Sequence, residues 1–144
     1  KLSEEFMITF SDKLIKVNKS NNWLYFTEDE KINRIKEFYN VVELDGTQHV
    51  ECYKGVREDY SSIYANIMYK FDKMDHKYET NCNYNDLEEN SFGFGCWTLE
   101  NAEKYAKESN VDNYKIIKCI VPVNSICMLK NGKIRSSELY VISL

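Results

Sequence analysis

One segment of the sequence combines an aromatic residue, a cation and a glycine in adjacent positions. Residues 52–57 read CYKGVR, so Tyr53, Lys54 and Gly55 are followed closely by a second cation, Arg57. A glycine lets the backbone approach a ligand, and a cationic side chain donates charge-assisted hydrogen bonds to phosphate oxygens. Lys54 and Arg57 are therefore candidates for binding a pyrophosphate or a ribose. The alternative is that both cations are simply solvated at the end of a strand.

A second segment, residues 93–98 (GFGCWT), alternates glycines with aromatic rings before a predicted helix. It lacks the further glycine of a Rossmann loop. Gly95, Trp97 and Thr98 suit a flat aromatic floor beside a hydroxyl, which would accept a planar heterocycle. The alternative is a glycine turn whose rings belong to the core.

Near the end of the chain, Glu138 opens an otherwise apolar strand. Glycoside chemistry needs a carboxylate to stabilise the positive charge that develops on the sugar in the transition state. Glu138 is therefore the candidate catalytic residue. The alternative is an edge-strand glutamate that faces water.

The order of the three segments resembles the ADP-ribosyltransferase superfamily. Its members carry a strand with aromatic–Arg/His–Gly, then a central strand followed by a helix, and a C-terminal strand with a catalytic Glu. Residues 53–55 are similar to the first motif, and Ser137-Glu138 is similar to the third. Residues 95–98, with Ala102 and residues 105–106 on the next helix, look closest to the phage and toxin-like branch. The resemblance covers residues 50 to 144.

The resemblance implies a mono-ADP-ribosyltransferase, possibly of phage or toxin origin, that transfers ADP-ribose from NAD⁺ to an acceptor, which we expect to be a protein. Lys54, or Arg57 in its place, would hold the phosphate or ribose side of NAD⁺. Trp97 and Thr98 would shape the nicotinamide pocket. Glu138 would bind the nicotinamide ribose 2′-hydroxyl and stabilise the oxocarbenium ion after neutral nicotinamide leaves.

Two positions differ from the family pattern. Lys54 stands where Arg or His is expected and lacks the planar fork of a guanidinium. Ser136, two residues before Glu138, stands where many members carry Glu or Gln to engage the acceptor. Two alternatives stay open: a catalytically inactive protein of the same fold that binds a protein or a nucleotide as an inhibitor, and an unrelated α+β interaction domain.

The elements that would position these residues are predicted from local patterns. Thr27 and Glu30 form a capping box ahead of apolar residues at helical spacing, which predicts a helix over about 28–42. Helical spacing predicts two further helices, over 61–74 and 99–107. A polar surface segment is expected over 72–90.

Alternating and β-rich runs predict the strands, which are 49–55, 114–123, 125–129 and 138–144. Asp45-Gly46 and Asn131-Gly132 are predicted turns, the second in a hairpin between the strands 125–129 and 138–144. The fold class is therefore α+β, and the resemblance specifies a split mixed β-sheet with N-terminal helices. We expect one domain, 1–144, with a mainly helical part over 1–49 and an NAD-clasping sheet part over 50–144.

Composition limits the class of partner. The net charge of −4 disfavours a nucleic-acid binder held mainly by phosphate contacts. No apolar run approaches the ~18 residues of a membrane span, and none is typical of a signal peptide, so we expect a cytoplasmic protein. Five cysteines without C-x-x-C spacing and two histidines give no zinc signature, which favours reduced thiols and no metal.

Overall fold

The computed structural model describes residues 26–65, 67–69, 77–80, 93–130 and 132–143. Within these ranges the chain forms two α-helices, α1 (Glu28–Ile35) and α2 (Leu99–Glu108). The strands are β1 (Val41–Leu44), β2 (Thr47–Val56), β3 (Tyr78–Glu79), β4 (Phe94–Trp97), β5 (Lys115–Pro122), β6 (Ile126–Lys130), β7 (Lys133–Ser136) and β8 (Glu138–Ser143). The predicted α+β class is confirmed.

The strands form one sheet in the order β3-β8-β5-β2-β4-β7-β6, and β1 pairs with β2 as well. Every pairing between described strands is antiparallel, so the expected mixed sheet is not found among them. For β1 and β2, the two-residue link Asp45-Gly46 requires an antiparallel pair, because a parallel pair needs a crossover of a dozen residues or more. The hairpin expected between the strands 125–129 and 138–144 is wrong in its second strand, because β6 pairs with β7, a strand that was not predicted. The turn at Gly132 is present, with φ +79°.

The sheet is divided into two parts. One edge of β2 pairs with β1 over Thr47–Val50, and further along it meets β4 through the single described pair Tyr53–Trp97. β5 and β8 lie on the other side of β2, whereas β7 and β6 follow β4. Only Ser137 separates β7 from β8, so the chain crosses between the two parts at that residue.

The first helix begins as predicted but is shorter. The hydroxyl of Thr27 accepts from the backbone N–H of Glu30 at 3.2 Å, and the Glu30 carboxylate accepts from the Thr27 N–H at 2.9 Å. The predicted end at residue 42 is wrong, because the β-branched Val41 and Val42 pair with β2 instead. The described part of 1–49 thus contains strands as well as a helix, and residues 1–25 of the predicted helical part lie outside the described residues.

The predicted helix over 61–74 is wrong over 61–65 and 67–69. Ser61 and Ser62 form isolated bridges with Met68 and Val56. The Asp59 carboxylate accepts from both the backbone N–H and the hydroxyl of Ser61, at 3.0 and 2.6 Å. Such local hydrogen bonds compete with helix formation. Residues 70–74 of this prediction, and most of the polar segment predicted over 72–90, lie outside the described residues.

The remaining predicted elements are confirmed to within two residues: β2, α2, β5, β6 and β8. The packing of α2 depends on small residues. A Cβ placed on Gly55 of β2 would lie 2.8 Å from the Cβ of Ala106 and 3.2 Å from the carbonyl oxygen of Ala102. Glycine at this position therefore brings α2 into direct contact with the sheet.

Candidate functional site

A groove of about 740 Å³ opens beside the single pair that joins β2 to β4. Its volume lies within the range of small-molecule sites. The described lining contains three charged side chains, those of Lys54, Lys133 and Arg135. The large rings in the described lining are those of Tyr64, Tyr69, Phe94, Trp97 and Tyr105. The gap between the two parts of the sheet thus supplies the site.

Lys54 extends from β2 toward β4 and is only 7% exposed. Its ammonium donates a hydrogen bond to the carbonyl oxygen of Gly95 and lies 5.6 Å from the ring centroids of both Tyr69 and Trp97. An ammonium has three donors, and the Gly95 carbonyl accepts from one. A buried cation at the groove wall therefore retains the capacity to donate to a bound anion.

The pKa of Lys54 remains above its ordinary value in spite of burial. Burial by itself lowers this pKa, but Tyr69 and the thiols of Cys96, Cys119 and Cys52 more than offset the effect. The Gly95 carbonyl and the faces of the Tyr69 and Trp97 rings are the neighbours that stabilise the ammonium form.

The aromatic wall is built from Trp97 and Tyr105. Their rings stack with centroids 4.4 Å apart and planes 22° apart. Gly95 leaves room for the indole, because a Cβ at this position would lie 3.1 Å from Cη2 of Trp97. Of the floor predicted from Gly95, Trp97 and Thr98, the first two line the groove, and Tyr105 of α2 stacks on the indole.

Lys133 and Arg135 also line the groove, although the motifs in the sequence did not select them. They occupy alternate positions of β7, so they face the same side, and they pair with Trp97 and Gly95 of β4. The Lys133 ammonium lies 5.3 Å from the Trp97 ring, and Nη1 of Arg135 donates to the Gly93 carbonyl at 2.9 Å. The signal that could have found them is the spacing of two cations directly after the hairpin glycine.

Three cations therefore face the groove, and none of the lining residues that the structure describes is a carboxylate. Charges that meet at a concave wall raise the local concentration of ligands of opposite sign. The groove is suited to an anion that also carries a ring.

Glu138 is not among the described residues of the groove. Its carboxylate accepts from the ammonium of Lys77 at 2.8 Å, and the same ammonium contacts Glu79 at 2.7 Å. The hydrogen bonds to Glu138 and Glu79 raise the pKa of Lys77. The next residue toward β7, Ser137, accepts from the backbone N–H of Thr80 at 3.0 Å, and Thr80 lines the groove. Glu138 therefore directly follows the crossover residue Ser137, and its carboxylate is held in an ion pair with Lys77.

The other sequence candidates have different positions. Tyr53 faces the opposite side of β2 from Lys54, and Gly55 lies under α2. Arg57 donates to the carbonyl of Ile63 at 3.0 Å and lines a separate depression of about 540 Å³. Thr98 caps α2 by accepting from the N–H of Asn101 at 3.3 Å. The structure therefore brings together Lys54, Gly95 and Trp97 of the predicted set.

Three of the described cysteines have free, buried thiols: Cys52, Cys96 and Cys119. Burial raises the pKa of Cys52 and Cys119. Burial also acts to raise the pKa of Cys96, but hydrogen bonds from Cys119 and Cys52 and the charge of Lys54 outweigh it and leave this pKa low. No cluster of His, Cys, Asp or Glu among the described residues is arranged to hold a metal ion. Cys127 is disulfide-bonded, so the expectation of reduced thiols is wrong at that residue.

No family model, curated protein or solved structure matches this chain. Within the described ranges, no helix has the length and apolar character needed to cross a membrane. The geometry of the groove is therefore the basis for a functional proposal.

Proposed function

We propose that the groove binds NAD⁺ through its ADP-ribosyl part and that the chain is a mono-ADP-ribosyltransferase with a protein acceptor. The observation that carries the proposal is the convergence of Lys54, Lys133 and Arg135 on the stacked rings of Trp97 and Tyr105. Ammonium and guanidinium groups bind pyrophosphate oxygens, and aromatic faces stack on planar bases. A dinucleotide offers both features in one molecule.

In the transfer, the N-glycosidic bond of NAD⁺ breaks, neutral nicotinamide leaves and an acceptor nucleophile attacks the anomeric carbon. The acceptor loses a proton as the new bond forms. Glu138 is the candidate group to stabilise the oxocarbenium ion. Its carboxylate must first separate from Lys77, which holds it at 2.8 Å.

A second candidate function is binding of the nucleotide without turnover. The ion pair between Glu138 and Lys77, together with a described lining free of carboxylates, favours it. Such a protein would sequester the nucleotide or present it to a partner.

Calorimetry with NAD⁺, combined with an assay for released nicotinamide in the presence of a cell lysate, separates the two functions. The transferase is supported if NAD⁺ gives heat of binding and nicotinamide is released. Glu138→Gln should then abolish the release, whereas the exposed control Glu103→Gln should retain it. Heat of binding without release supports the second candidate. No heat with any nucleotide contradicts both and leaves the unrelated interaction domain.

A further inference from the structure

We propose that Tyr64 is a further binding residue of the groove, where its ring stacks on the base of the nucleotide, and that this contact favours a purine over a pyrimidine. The inference rests on the proposed nucleotide binding and names a residue and the class of base that the site selects. Tyr64 lines the groove, although the motifs in the sequence did not select it.

The first observation is that the rings at the groove form a continuous row. The indole of Trp97 lies beside the ammonium of Lys54, and Tyr105 stacks on the indole with the ring centroids 4.4 Å apart. Tyr64 comes next, with its ring centroid 6.1 Å from that of Tyr105. A nucleotide whose diphosphate binds at Lys54 would therefore meet these rings in succession, and Tyr64 would be the last of them.

The second observation is that the Tyr64 ring is accessible to a ligand. Tyr64 is 77% exposed, although it lies beside Tyr105. The planes of the two rings are 67° apart, so Tyr105 does not stack on a face of Tyr64. The Tyr64 hydroxyl lies 3.5 Å from the hydroxyl of Ser109, which is a long distance for a hydrogen bond. The ring thus contributes little to the packing of the fold and can accept a base on its face.

The third observation is that the backbone around Tyr64 is fixed while the ring is exposed. The N–H of Ser62 donates to the carbonyl of Ile67 at 2.8 Å, on either side of Tyr64 in the chain. The guanidinium of Arg57 donates to the carbonyl of Ile63, the residue directly before Tyr64, at 3.0 Å. A binding residue that is held in place before the ligand arrives reduces the entropy lost on binding.

The angle between Tyr64 and Tyr105 suits a planar base. Aromatic groups favour offset-stacked and edge-to-face arrangements. A base that stacks on Tyr64 can present its edge to Tyr105, so one ligand ring would make both kinds of contact. The two fused rings of a purine cover more of a tyrosine face than the single ring of a pyrimidine. We therefore expect Tyr64 to contribute more to the binding of a purine nucleotide.

Isothermal titration of the full chain with ADP and UDP tests the inference, because these nucleotides carry the same diphosphate on different bases. We expect Tyr64→Ala to weaken ADP binding about fivefold or more, and UDP binding by a smaller factor. Tyr64→Phe keeps the ring and should retain the ADP affinity within about twofold. The control is Phe38→Ala, which removes a 49% exposed ring outside the described lining and should leave both affinities unchanged.

The outcomes separate this inference from the proposed function. Because Tyr64 is largely exposed, we expect Tyr64→Ala to fold, and thermal unfolding measured in parallel checks this. Unchanged ADP affinity in folded Tyr64→Ala overturns the inference but leaves nucleotide binding intact. Equal losses for ADP and UDP overturn the preference for a purine. Failure of ADP, UDP, ADP-ribose and NAD⁺ to bind the wild-type chain contradicts the proposed function.

Discussion

Lys54 is a charged residue held in an almost buried position. The Gly95 carbonyl accepts one of its hydrogen bonds, and two aromatic faces surround the ammonium. A buried cation normally loses its proton unless such neighbours stabilise the charge. The same neighbours direct the ammonium into the groove, so packing and ligand binding use one side chain.

Replacing Lys54 by Met keeps the length of the side chain and removes the charge. We expect the affinity for ADP-ribose to fall at least about tenfold, because hydrogen bonds to charged groups contribute about 1.5–3 kcal/mol. Calorimetry measures the loss, with Lys107→Met at an exposed position of α2 as the control. Unchanged affinity in a folded Lys54→Met variant would exclude Lys54 from the binding site.

Tyr39 is a buried residue whose hydroxyl has no hydrogen-bond partner among the described groups. Burial, followed by the nearby Cys52 and Cys96, raises its pKa far above the ordinary 10. An unsatisfied buried hydroxyl destabilises the folded state. We therefore expect Tyr39→Phe to raise the free energy of unfolding at pH 7 by up to about 1 kcal/mol, measured by urea denaturation. A clear loss of stability would show that the hydroxyl does have a partner.

The same residue predicts a pH dependence. The pKa of Tyr39 is higher in the folded state than in the unfolded chain, so above pH 10 only the unfolded chain ionises at this residue. The free energy of unfolding is therefore unaffected by Tyr39 ionisation below pH 10 and falls as the pH rises above 10. At pH 11 the loss from one tyrosine is about 1.4 kcal/mol. Urea denaturation at pH 8 and pH 11 should show a smaller loss for Tyr39→Phe than for the wild type. Equal losses would mean that Tyr39 ionises freely in the folded state.

At the scale of the elements, α2 is positioned by its cap and by its close contact with β2. Thr98 caps the helix, and the absence of a side chain at Gly55 lets Ala102 and Ala106 pack directly against the sheet. These contacts place Tyr105 against Trp97, so the aromatic wall of the groove depends on residues that do not line it.

Thr98 was predicted to shape the nicotinamide pocket, and its cap suggests a test. Thr98→Ala removes an acceptor for the Asn101 N–H and should lower the free energy of unfolding by about 1 kcal/mol. Nucleotide affinity should change little, and Thr98→Ser should preserve stability. A large loss of nucleotide affinity in Thr98→Ala at unchanged stability would instead support the predicted role of Thr98 in the nicotinamide pocket.

Gly55→Ala probes the approach of α2 to the sheet. The new methyl would lie 2.8 Å from the Cβ of Ala106, so we expect a loss of about 1–3 kcal/mol in the free energy of unfolding. The double variant Gly55→Ala/Ala106→Gly should recover part of the loss beyond the sum of the single changes. Thermal and urea unfolding measure both effects, and additive losses would show that the two residues do not touch.

At the scale of the whole molecule, the groove exists because the sheet is joined at one described pair between β2 and β4. β5 has a partner strand on each edge, whereas β4 is paired along its length only with β7. The crossover at Ser137 links the two parts again, next to Thr80. A ligand in the groove would contact both parts at once.

This arrangement predicts a pattern of amide hydrogen exchange. The backbone amides of β4 should exchange faster than those of β5, because fewer interactions must open to expose them. Saturating ADP-ribose should slow exchange in β4 and leave β6, on the far side of β7, unchanged. Equal protection of β6 and β4 by the ligand would indicate a general stabilisation in place of binding in the groove.

The sequence by itself determined the elements whose stabilising contacts are local. The cap at Thr27, the alanine face of α2 and the strands with clear alternation required no distant partner. The prediction failed where local and distant contacts compete. The helix α1 ends before residue 42 because Val41 and Val42 pair with β2. In the described part of 61–74, hydrogen bonds to Asp59 and isolated bridges form in place of the expected helix.

Of the site residues predicted from the sequence, Lys54, Gly95 and Trp97 line the groove. Only the tertiary structure added Lys133 and Arg135, because the pairing of β7 with β4 joins residues about forty positions apart. It also placed Glu138 in an ion pair with Lys77, a contact between distant segments that no local pattern contains. The sequence determines the chemistry of each side chain. The pairing of strands across the whole fold determines which charged side chains lie in the same groove.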